Sequence, residues 1–527
     1  MINNNRFSFY EIKHNLLLFL SIFFLTLFCY LSVIPTYFIS DDYVLIRKIA
    51  QEGMFYAWGE DSGGFLRPTT ILSYWIDYKI WGLNPIGYHL TNILFHAIAA
   101  FGLYIISCQL IPNRKLISLS ASCLFIVLPC HSESVSWISG RTDVIAVAFG
   151  FISTAIFLSV FRKESIYFSI WGLLFFVIAL LAKEVVIILP VIWFLFYIYS
   201  WYVEKKIPSK YSLITLFVAW ILLIGYFGLR KVTLGHFVGG YGTSQHISFI
   251  NIENLNNIFK YSARVFLPPG LPEFLYTIFL LIIVTFGLIF LFKNFRKIYL
   301  TDRWAIFLLL MLCYLVGLIP TVTMSVSLID TQNERFLFLS SGFACMILAV
   351  IVGKFFERKP IQISIFIFLI ISLGFSLQWV NNRWITASVL SKQIATELSK
   401  MNLENIVVIN VPDNYQGAYV FRNGLQEAAM LITGKNAERK AGYLRAIVYH
   451  NLVSLSQKIH TDILGSTVLV TFPNGLYFYE VSQPTFKTGR EGQSLSILVP
   501  NESLKRLKFL SFESATSIPM LQEINLK

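Results

Sequence analysis

Charged residues are scarce in this chain. Asp, Glu, Lys and Arg make up 13% of its 527 residues, about half the roughly 25% of ordinary soluble domains. Hydrophobic residues reach 56%, with 48 Phe among them, more apolar surface than a water-soluble fold can hide and an amount that a bilayer accepts. An ordinary cytosolic enzyme is therefore excluded. Cysteine is also sparse: Cys29, Cys108, Cys123, Cys130, Cys313 and Cys345 all fall within or at the ends of apolar runs, so the polar segments hold no disulfide framework. The sequence shows no metal-ligand motif, no P-loop and no dinucleotide fingerprint. It also lacks a repeat of about 34 residues, which excludes a helical solenoid.

What is present is a series of apolar runs. About eleven are long enough to be candidate membrane spans: 16–39, 86–110, 116–130, 136–161, 166–182, 185–203, 211–229, 272–292, 304–320, 336–353 and 361–379. The first lacks a small-residue cleavage pattern and is expected to be a retained helix rather than a signal peptide. Alternate connections carry basic clusters: Arg114-Lys115, Arg162-Lys163, Lys205-Lys206, Arg296-Lys297 and Arg358-Lys359. The positive-inside rule then places these connections and the N-terminus in the cytoplasm. Eleven spans put the C-terminal segment outside. The net charge of +13 thus answers to anionic lipid headgroups better than to a nucleic acid, and no nucleic-acid partner is expected.

From about residue 380 hydrophobicity drops. IVVIN (406–410), STVLVTF and LYFYEV alternate with helical stretches at 384–401 and 424–432, which predicts a small α/β domain. The expected architecture is a polytopic α-helical membrane domain over 1–379, including a first outer loop at 40–85, followed by an extracytoplasmic α/β domain over 380–527.

The few charges outside the basic loops gather at one expected membrane boundary. Asp41-Asp42 follows the first span. His131-Ser132-Glu133 separates the third and fourth, and Arg141-Thr142-Asp143 opens the fourth. Lys183-Glu184 interrupts the fifth and sixth, and Glu334-Arg335 opens the tenth. Ionisable groups at such depth are costly unless paired or used. Two adjacent carboxylates point in different directions, so one can face a substrate while the other holds a cation or a backbone amide. Their mutual repulsion raises one pKa, which suits a general base. The competing role for an Asp at this place is a helix N-cap for DYVLIRKIAQ. His89, Asn92 and His96 share one helical face; His89 lies near the outer boundary, and His96 suits an interhelical hydrogen bond. Gly235, Gly239, Gly240 and Gly242 fit no phosphate-binding fingerprint and are expected in a mobile outer loop. Trp58, Trp75 and Trp81 are expected to anchor the first outer loop at the membrane surface.

The order Asp-Asp after the first span, FLRP at 65–68, WGLNPIGYHLTNILFHA at 81–97, HSESVSWISGRTDV at 131–144, Lys183-Glu184 and NERFLFLSS at 333–341 resembles the GT-C membrane glycosyltransferases. It is most similar to the transmembrane-and-tetratricopeptide-repeat O-mannosyltransferases and their bacterial relatives. The resemblance covers roughly 15–355. The tail departs from that pattern, because the tetratricopeptide repeats are missing, which puts a protein acceptor in doubt.

The resemblance implies a GT-C-like fold and a polyprenyl-phosphate sugar donor, with transfer to a hydroxyl of a glycan, lipid or protein and inversion at the sugar. One of Asp41 and Asp42 would take the acceptor proton. The family pattern favours Asp41, with Asp42 positioning it. Arg141, Lys183 and Arg335, with Arg67 behind them, would meet the departing phosphate. His131, Glu133, Asp143, Glu184 and His89 would support these groups or touch sugar hydroxyls. No cofactor is firmly expected, and a divalent metal is left open. The short chain and missing repeats suggest a bacterial inner membrane, with the site and the C-terminal domain facing the periplasm or exterior. Two rival classes remain at this point: a transporter or flippase of lipid-linked glycans, and a non-catalytic envelope-assembly protein. Transport would favour inverted repeats and a midplane charge pair; neither is seen in the sequence.

Overall fold

The computed structural model describes residues 9–58, 64–205, 208–237, 252–294, 302–400 and 406–433, and after these the strands between 446 and 524. Gly239, Gly240 and Gly242 lie outside the described residues, as do Lys206, Arg296 and Lys297 of the basic connections. Two compact units are present. One comprises Met1–Ile34 and Met54–Asn381, the other Pro35–Gly53 and Asn382–Lys527. The segment expected as the first outer loop, 40–85, is divided between them.

The helices run in chain order α1 (Phe9–Cys29), α2 (Asp41–Glu52), α3 (Pro68–Trp81), α4 (Pro85–Leu110), α5 (Lys115–Ile126), α6 (Ser132–Val135), α7 (Arg141–Lys163) and α8 (Ile166–Leu180). They continue as α9 (Leu189–Tyr202), α10 (Lys210–Leu234), α11 (Ile252–Arg264), α12 (Glu273–Asn294), α13 (Asp302–Leu318), α14 (Phe338–Phe355), α15 (Lys359–Ser399) and α16 (Leu425–Thr433). All but α2 and α16 belong to the first unit, with α15 contributing to it as far as Asn381.

The protein is mostly helical. Among the described residues, six helices are long and apolar enough to cross a membrane: Pro85–Leu110, Ile138–Phe161, Glu184–Tyr202, Lys210–Leu234, Glu334–Phe355 and Lys359–Ser399. Lys115–Ile126 and Pro129–Val135 form a further span if their 53° bend is counted within one crossing. Asn15–Cys29, Ile166–Leu180, Glu273–Thr285 and Ala305–Thr321 are apolar but shorter. Of the eleven apolar runs, six thus correspond to full-length crossings among the described residues, or seven with the bent pair. Exposed Phe24, Phe28, Phe217, Ile224 and Phe375 give these helices an apolar outer surface, which suits lipid contact.

Local signals set several helix ends. Pro85 opens α4 after Asn84, whose side chain accepts a hydrogen bond from the Ile86 amide at 3.2 Å, the expected arrangement for an N-cap followed by proline. Ser209 caps α10 through the Ser212 amide at 3.2 Å, and Gly235 ends it in a left-handed conformation at φ 77°. Gly235 is therefore a C-cap. The break expected between the last span and a separate helix at 384–401 does not occur. α15 runs unbroken for 41 residues, since QWVNNRW (378–384) contains neither proline nor glycine to stop it.

The core of the first unit packs aromatic and small residues across helices. Trp193 of α9 stacks on Phe157 of α7 at 4.6 Å, and its indole N–H donates to Thr154 Oγ1 at 3.0 Å. The second unit carries β1 (Ile406–Tyr415), β2 (Ala418–Tyr419), β3 (Ala446–Leu452), β4 (His460–Leu464), β5 (Thr467–Thr471), β6 (Tyr477–Val481), β7 (Lys487–Glu491), β8 (Ser494–Leu498), β9 (Lys508–Glu513) and β10 (Met520–Ile524). One sheet has the order β10-β9-β1-β3-β6, with β2 paired to β1; the other is β4-β5-β8-β7. β1 lies parallel to β3 and β9. The remaining pairs are antiparallel.

The turn that carries HSESVSWISGRTDV folds back tightly on itself. A Cβ added at Gly140 would lie 2.3 Å from the Glu133 carbonyl oxygen and 2.7 Å from that of Ser134. Both neighbours are backbone, so neither can move aside cheaply. Gly140→Ala is expected to destabilise the protein by about 1–3 kcal/mol, the usual range for overpacking. Thermal unfolding of the detergent-solubilised protein would check this, and an unchanged midpoint would refute the close approach.

Candidate active site

In the first unit, the charged residues sit at helix ends and are joined in pairs. Arg141 is the first residue of α7 and is fully buried. Its Nη2 contacts Asp77 Oδ2 of α3 at 2.6 Å and donates to the Tyr88 carbonyl at 2.7 Å. Its Nε donates to Asn92 Oδ1 at 2.6 Å, its Nη1 reaches Ser73 Oγ at 3.4 Å, and the Tyr74 ring covers it at 4.3 Å. Every guanidinium nitrogen therefore has a protein partner. Such a group braces α3, α4 and α7 against one another, and the expected donor phosphate would meet Arg141 with these partners already in place. Asn92 completes the brace: its Nδ2 donates to the carbonyls of Val135 and Trp137 at 3.2 and 3.1 Å.

Lys183, Asp143, Glu133 and Arg335 form a second group. Lys183 Nζ lies 2.5 Å from Asp143 Oδ2, both side chains being buried. Glu133 accepts from the Arg335 amide at 2.9 Å and faces the Arg335 guanidinium at 3.7 Å. The Phe336 ring lies 5.3 Å from the Lys183 ammonium and 5.4 Å from the Arg335 guanidinium. Trp137 covers Arg335 at 5.3 Å. Lys183 is followed directly by Glu184, which links this group to a third pair, Arg67 and Glu184, at 2.9 Å. The side chains of Arg67, Glu184 and Arg335 are 13%, 25% and 16% exposed. They form the part of the cluster that solvent or a ligand can reach.

Two further members were not foreseen in the sequence. Arg264, at the end of α11, makes a short, fully buried contact with Glu334, which also accepts from Ser132 Oγ at 3.2 Å. Asp77 accepts from Thr91 Oγ1 at 2.8 Å besides pairing with Arg141. Nothing in the sequence around Asp77 or Arg264 distinguishes them from surface charges.

The histidines lie deeper. His131 is enclosed between Phe125 and Phe338, at 4.5 and 4.4 Å, and its Nε2 shares a 2.8 Å hydrogen bond with Ser341 Oγ. His131 is thus packed in the core of the first unit. His96 Nε2 bonds the Ile126 carbonyl of α5 at 3.3 Å. His89 is buried on α4. Among the described residues, no group of three or more His, Cys, Asp or Glu is arranged to hold a metal ion.

Asp41 and Asp42 belong to the second unit and open α2. Asp42 is buried, and its Oδ2 accepts from the Ile39 amide at 3.0 Å, while its own amide donates to the Ile39 carbonyl at 3.0 Å. Asp42 thereby pins the turn into the helix. Ser40 stands at the N-cap position without a side-chain cap bond, at φ 44° and ψ −118°, a region sparsely populated for residues with a Cβ. Asp41 is partly exposed.

Compared with known proteins, no family model matches the chain. It is 38% identical over 92 residues to protein O-mannosyl-transferase Tmtc1 of Drosophila melanogaster, a match covering 16% of this chain and 11% of that protein. Against protein O-mannosyl-transferase F38B6.6 of Caenorhabditis elegans it is 36% identical over 100 residues, covering 19% of this chain and 14% of the relative. Against human protein O-mannosyl-transferase TMTC4 it is 30% identical over 138 residues, covering 22% and 19%. These matches bear out the resemblance carried by the motifs, and they span a small part of each relative's length. Among solved structures, archaeal oligosaccharyltransferase AglB from Archaeoglobus fulgidus, in complex with an inhibitory peptide and a dolichol-phosphate, aligns at a TM-score of 0.44 and 9% identity, covering 94% of this chain and 77% of that one. ArnT from Cupriavidus metallidurans bound to undecaprenyl phosphate aligns at 0.41 and 11%, covering 93% and 98%.

The difference between the enclosed and the partly open pairs is measurable. Asp77→Asn leaves the Arg141 charge buried without its carboxylate and is expected to cost about 3–5 kcal/mol. Glu184→Gln touches a pair that water reaches and is expected to cost about 1 kcal/mol or less. Thermal unfolding of the two variants should rank them in that order. Equal losses would mean that Arg141 is not the brace described.

Proposed function

We propose that this protein is a membrane glycosyltransferase that moves a sugar from a polyprenyl-phosphate donor to an acceptor hydroxyl, with inversion at the anomeric carbon. The observation that carries the proposal is the cluster of Arg67, Lys183 and Arg335 at the ends of apolar helices, each cation held beside a carboxylate from another segment. A leaving phosphate needs fixed positive charge, and charges already held in place require little reorganisation as the bond breaks. The sequence matches to protein O-mannosyl-transferases support the same chemistry. They leave the sugar and the acceptor open.

In this mechanism Asp41 is the general base. The local bonding of Asp42 to Ile39 supports giving Asp42 the positioning role and Asp41 that of the base. The proton moves from the acceptor oxygen to Asp41, the oxygen bonds the anomeric carbon, and the carbon–oxygen bond to the lipid phosphate breaks. The transition state has oxocarbenium character, as in glycoside chemistry generally. Arg67 and Arg335, the more accessible cations, take the departing phosphate oxygens, and Lys183 supplies a fixed charge behind them. Arg141, Glu133, Asp143 and Glu184 hold these groups in place.

The topology that belongs with this function has eleven spans, basic connections in the cytoplasm, and the site and residues 380–527 on the outer face of a bacterial inner membrane. The expected fourth, sixth and tenth spans then run in the same direction. Their first turns, which carry Arg141 and Asp143, Glu184, and Glu334 and Arg335, fall at one boundary. A flippase would place its charges nearer the middle of the spans.

Purified full-length protein in nanodiscs, offered a panel of dolichyl- and undecaprenyl-phosphate sugars with hydroxyl acceptors, is expected to transfer sugar. Asp41→Asn should lower kcat by about 10²–10⁴-fold, the range for loss of a general base. Arg335→Ala should lower it by about 10²-fold or more. Full transfer by both Asp41→Asn and Asp42→Asn would remove the carboxylate mechanism.

A further inference from the structure

Ser40, the residue before Asp41, is held in its unusual backbone conformation by one short stretch of the C-terminal sequence. Its amide donates to the Val420 carbonyl at 2.9 Å, and its hydroxyl reaches Asn423 Oδ1 at 3.3 Å. A Cβ added at Gly424 would lie 2.5 Å from the Ser40 carbonyl oxygen, and Gly424 itself adopts φ 79°. A sparsely populated conformation persists only where its surroundings over-determine it, and such positions gather at functional sites. Three contacts from five consecutive residues meet that condition.

Arg422, inside the same stretch, is also fixed. Its Nε and Nη2 donate to the two Asp413 carboxylate oxygens at 3.1 and 3.0 Å, and its guanidinium lies over the Tyr419 ring at 4.5 Å. Partial burial works against its charge, but the bond to Asp413 and the nearby Asp413 and Asp41 charges more than compensate, so it is held above its ordinary range. The other charged groups around this turn are Asp42 beside Asp41, and Arg47 of α2, which pairs with Glu427 of α16 at 3.4 Å. Tyr43 follows them in α2 and is pushed upward by burial, so it stays neutral.

We propose that Val420–Gly424 is a positioning element of the Asp41–Asp42 turn: Val420, Asn423 and Gly424 lock Ser40, and Arg422, set between Val420 and Asn423 and so brought to the residue before Asp41, serves as the counter-charge of Asp41. The catalytic part of this assignment rests on the glycosyl transfer proposed above. The part concerning Arg422 and Asp41 does not.

The test uses two readouts on full-length protein in nanodiscs. The first is labelling of Asp41 by a water-soluble carbodiimide with glycine ethyl ester, followed across pH by peptide mass spectrometry. This reads the protonation of Asp41 without any sugar. Arg422→Gln removes the positive neighbour and should raise the labelling midpoint by about one pH unit, the low end of the effect of an adjacent opposite charge. Arg422→Lys should hold the midpoint near that of the natural protein. The second readout is steady-state transfer from whichever polyprenyl-phosphate sugar of the panel above the natural protein uses best. Gly424→Ala should lower kcat by about 10–100-fold with KM for the donor unchanged, as expected when a reacting group is displaced slightly.

An unmoved midpoint in Arg422→Gln overturns the counter-charge role, whatever transfer does. Natural kcat in Gly424→Ala overturns the lock on Ser40. A shifted midpoint in a chain that transfers no sugar upholds Arg422 as the neighbour of Asp41 and removes glycosyl transfer instead.

Discussion

A charge inside a body of apolar helices persists only beside an opposite charge or several hydrogen-bonding groups, and the first unit is organised around that constraint. Arg141, Lys183 and Arg264 are all buried, and each takes its carboxylate from a distant segment: Asp77, Asp143 and Glu334. Hydrophobic burial alone lets apolar helices slide and rotate with little loss. A buried pair whose members sit on two helices removes that freedom, because a slip of one turn separates the charges. The same pairs that are costly to desolvate therefore set the register of α3, α4, α7 and the turns that lead into α9 and α14.

The pairs differ in how far they are enclosed, and the proposed division between bracing and chemistry follows that gradient. Each guanidinium nitrogen of Arg141 has a partner in its shell of Asp77, Asn92, Tyr88 and Ser73. An incoming phosphate would have to displace neutral and charged partners at once. Arg67 and Arg335 each face a carboxylate, Glu184 and Glu133, at a partly open edge. A guanidinium in that position can share its fork between its carboxylate and a phosphate without losing its place. Tethered cations of this kind suit a leaving group whose negative charge grows during the reaction, since the positive charge is already oriented before that growth begins.

Much of this was legible in the sequence, for a reason tied to composition. In a chain with 13% charged residues, a charge inside or beside an apolar run is conspicuous, and Asp41, Glu133, Arg141, Asp143, Lys183, Glu184 and Arg335 all announced themselves that way. Apolar periodicity likewise located the helices, although it could not say that the run after Lys359 continues as one helix to Ser399. What stayed hidden was partnership. Asp77 lies in a segment with ordinary polarity, and Arg264 closes an amphipathic helix, so neither looks different from a solvated side chain until the fold brings Arg141 and Glu334 to it. The packing of His131 was hidden too: its neighbours Ser132 and Glu133 are polar, but its ring packs between two phenylalanines.

The second unit shows the same limit more sharply. The sequence offered Asp41-Asp42 as a pair and left their roles nearly interchangeable. The fold distinguishes them through Ile39, whose amide and carbonyl both engage Asp42. Nothing local could have linked that turn to residues 420–424, since hydrogen bonds across nearly four hundred positions leave no periodic trace in composition. Yet the chain places a non-glycine residue at positive φ directly before the two carboxylates and holds it from that distant stretch. A loop free to relax would avoid such a conformation, so its retention requires the C-terminal residues to supply the holding contacts. The tail is then more than an appendage to an apolar bundle: it fixes the backbone from which the proposed base projects.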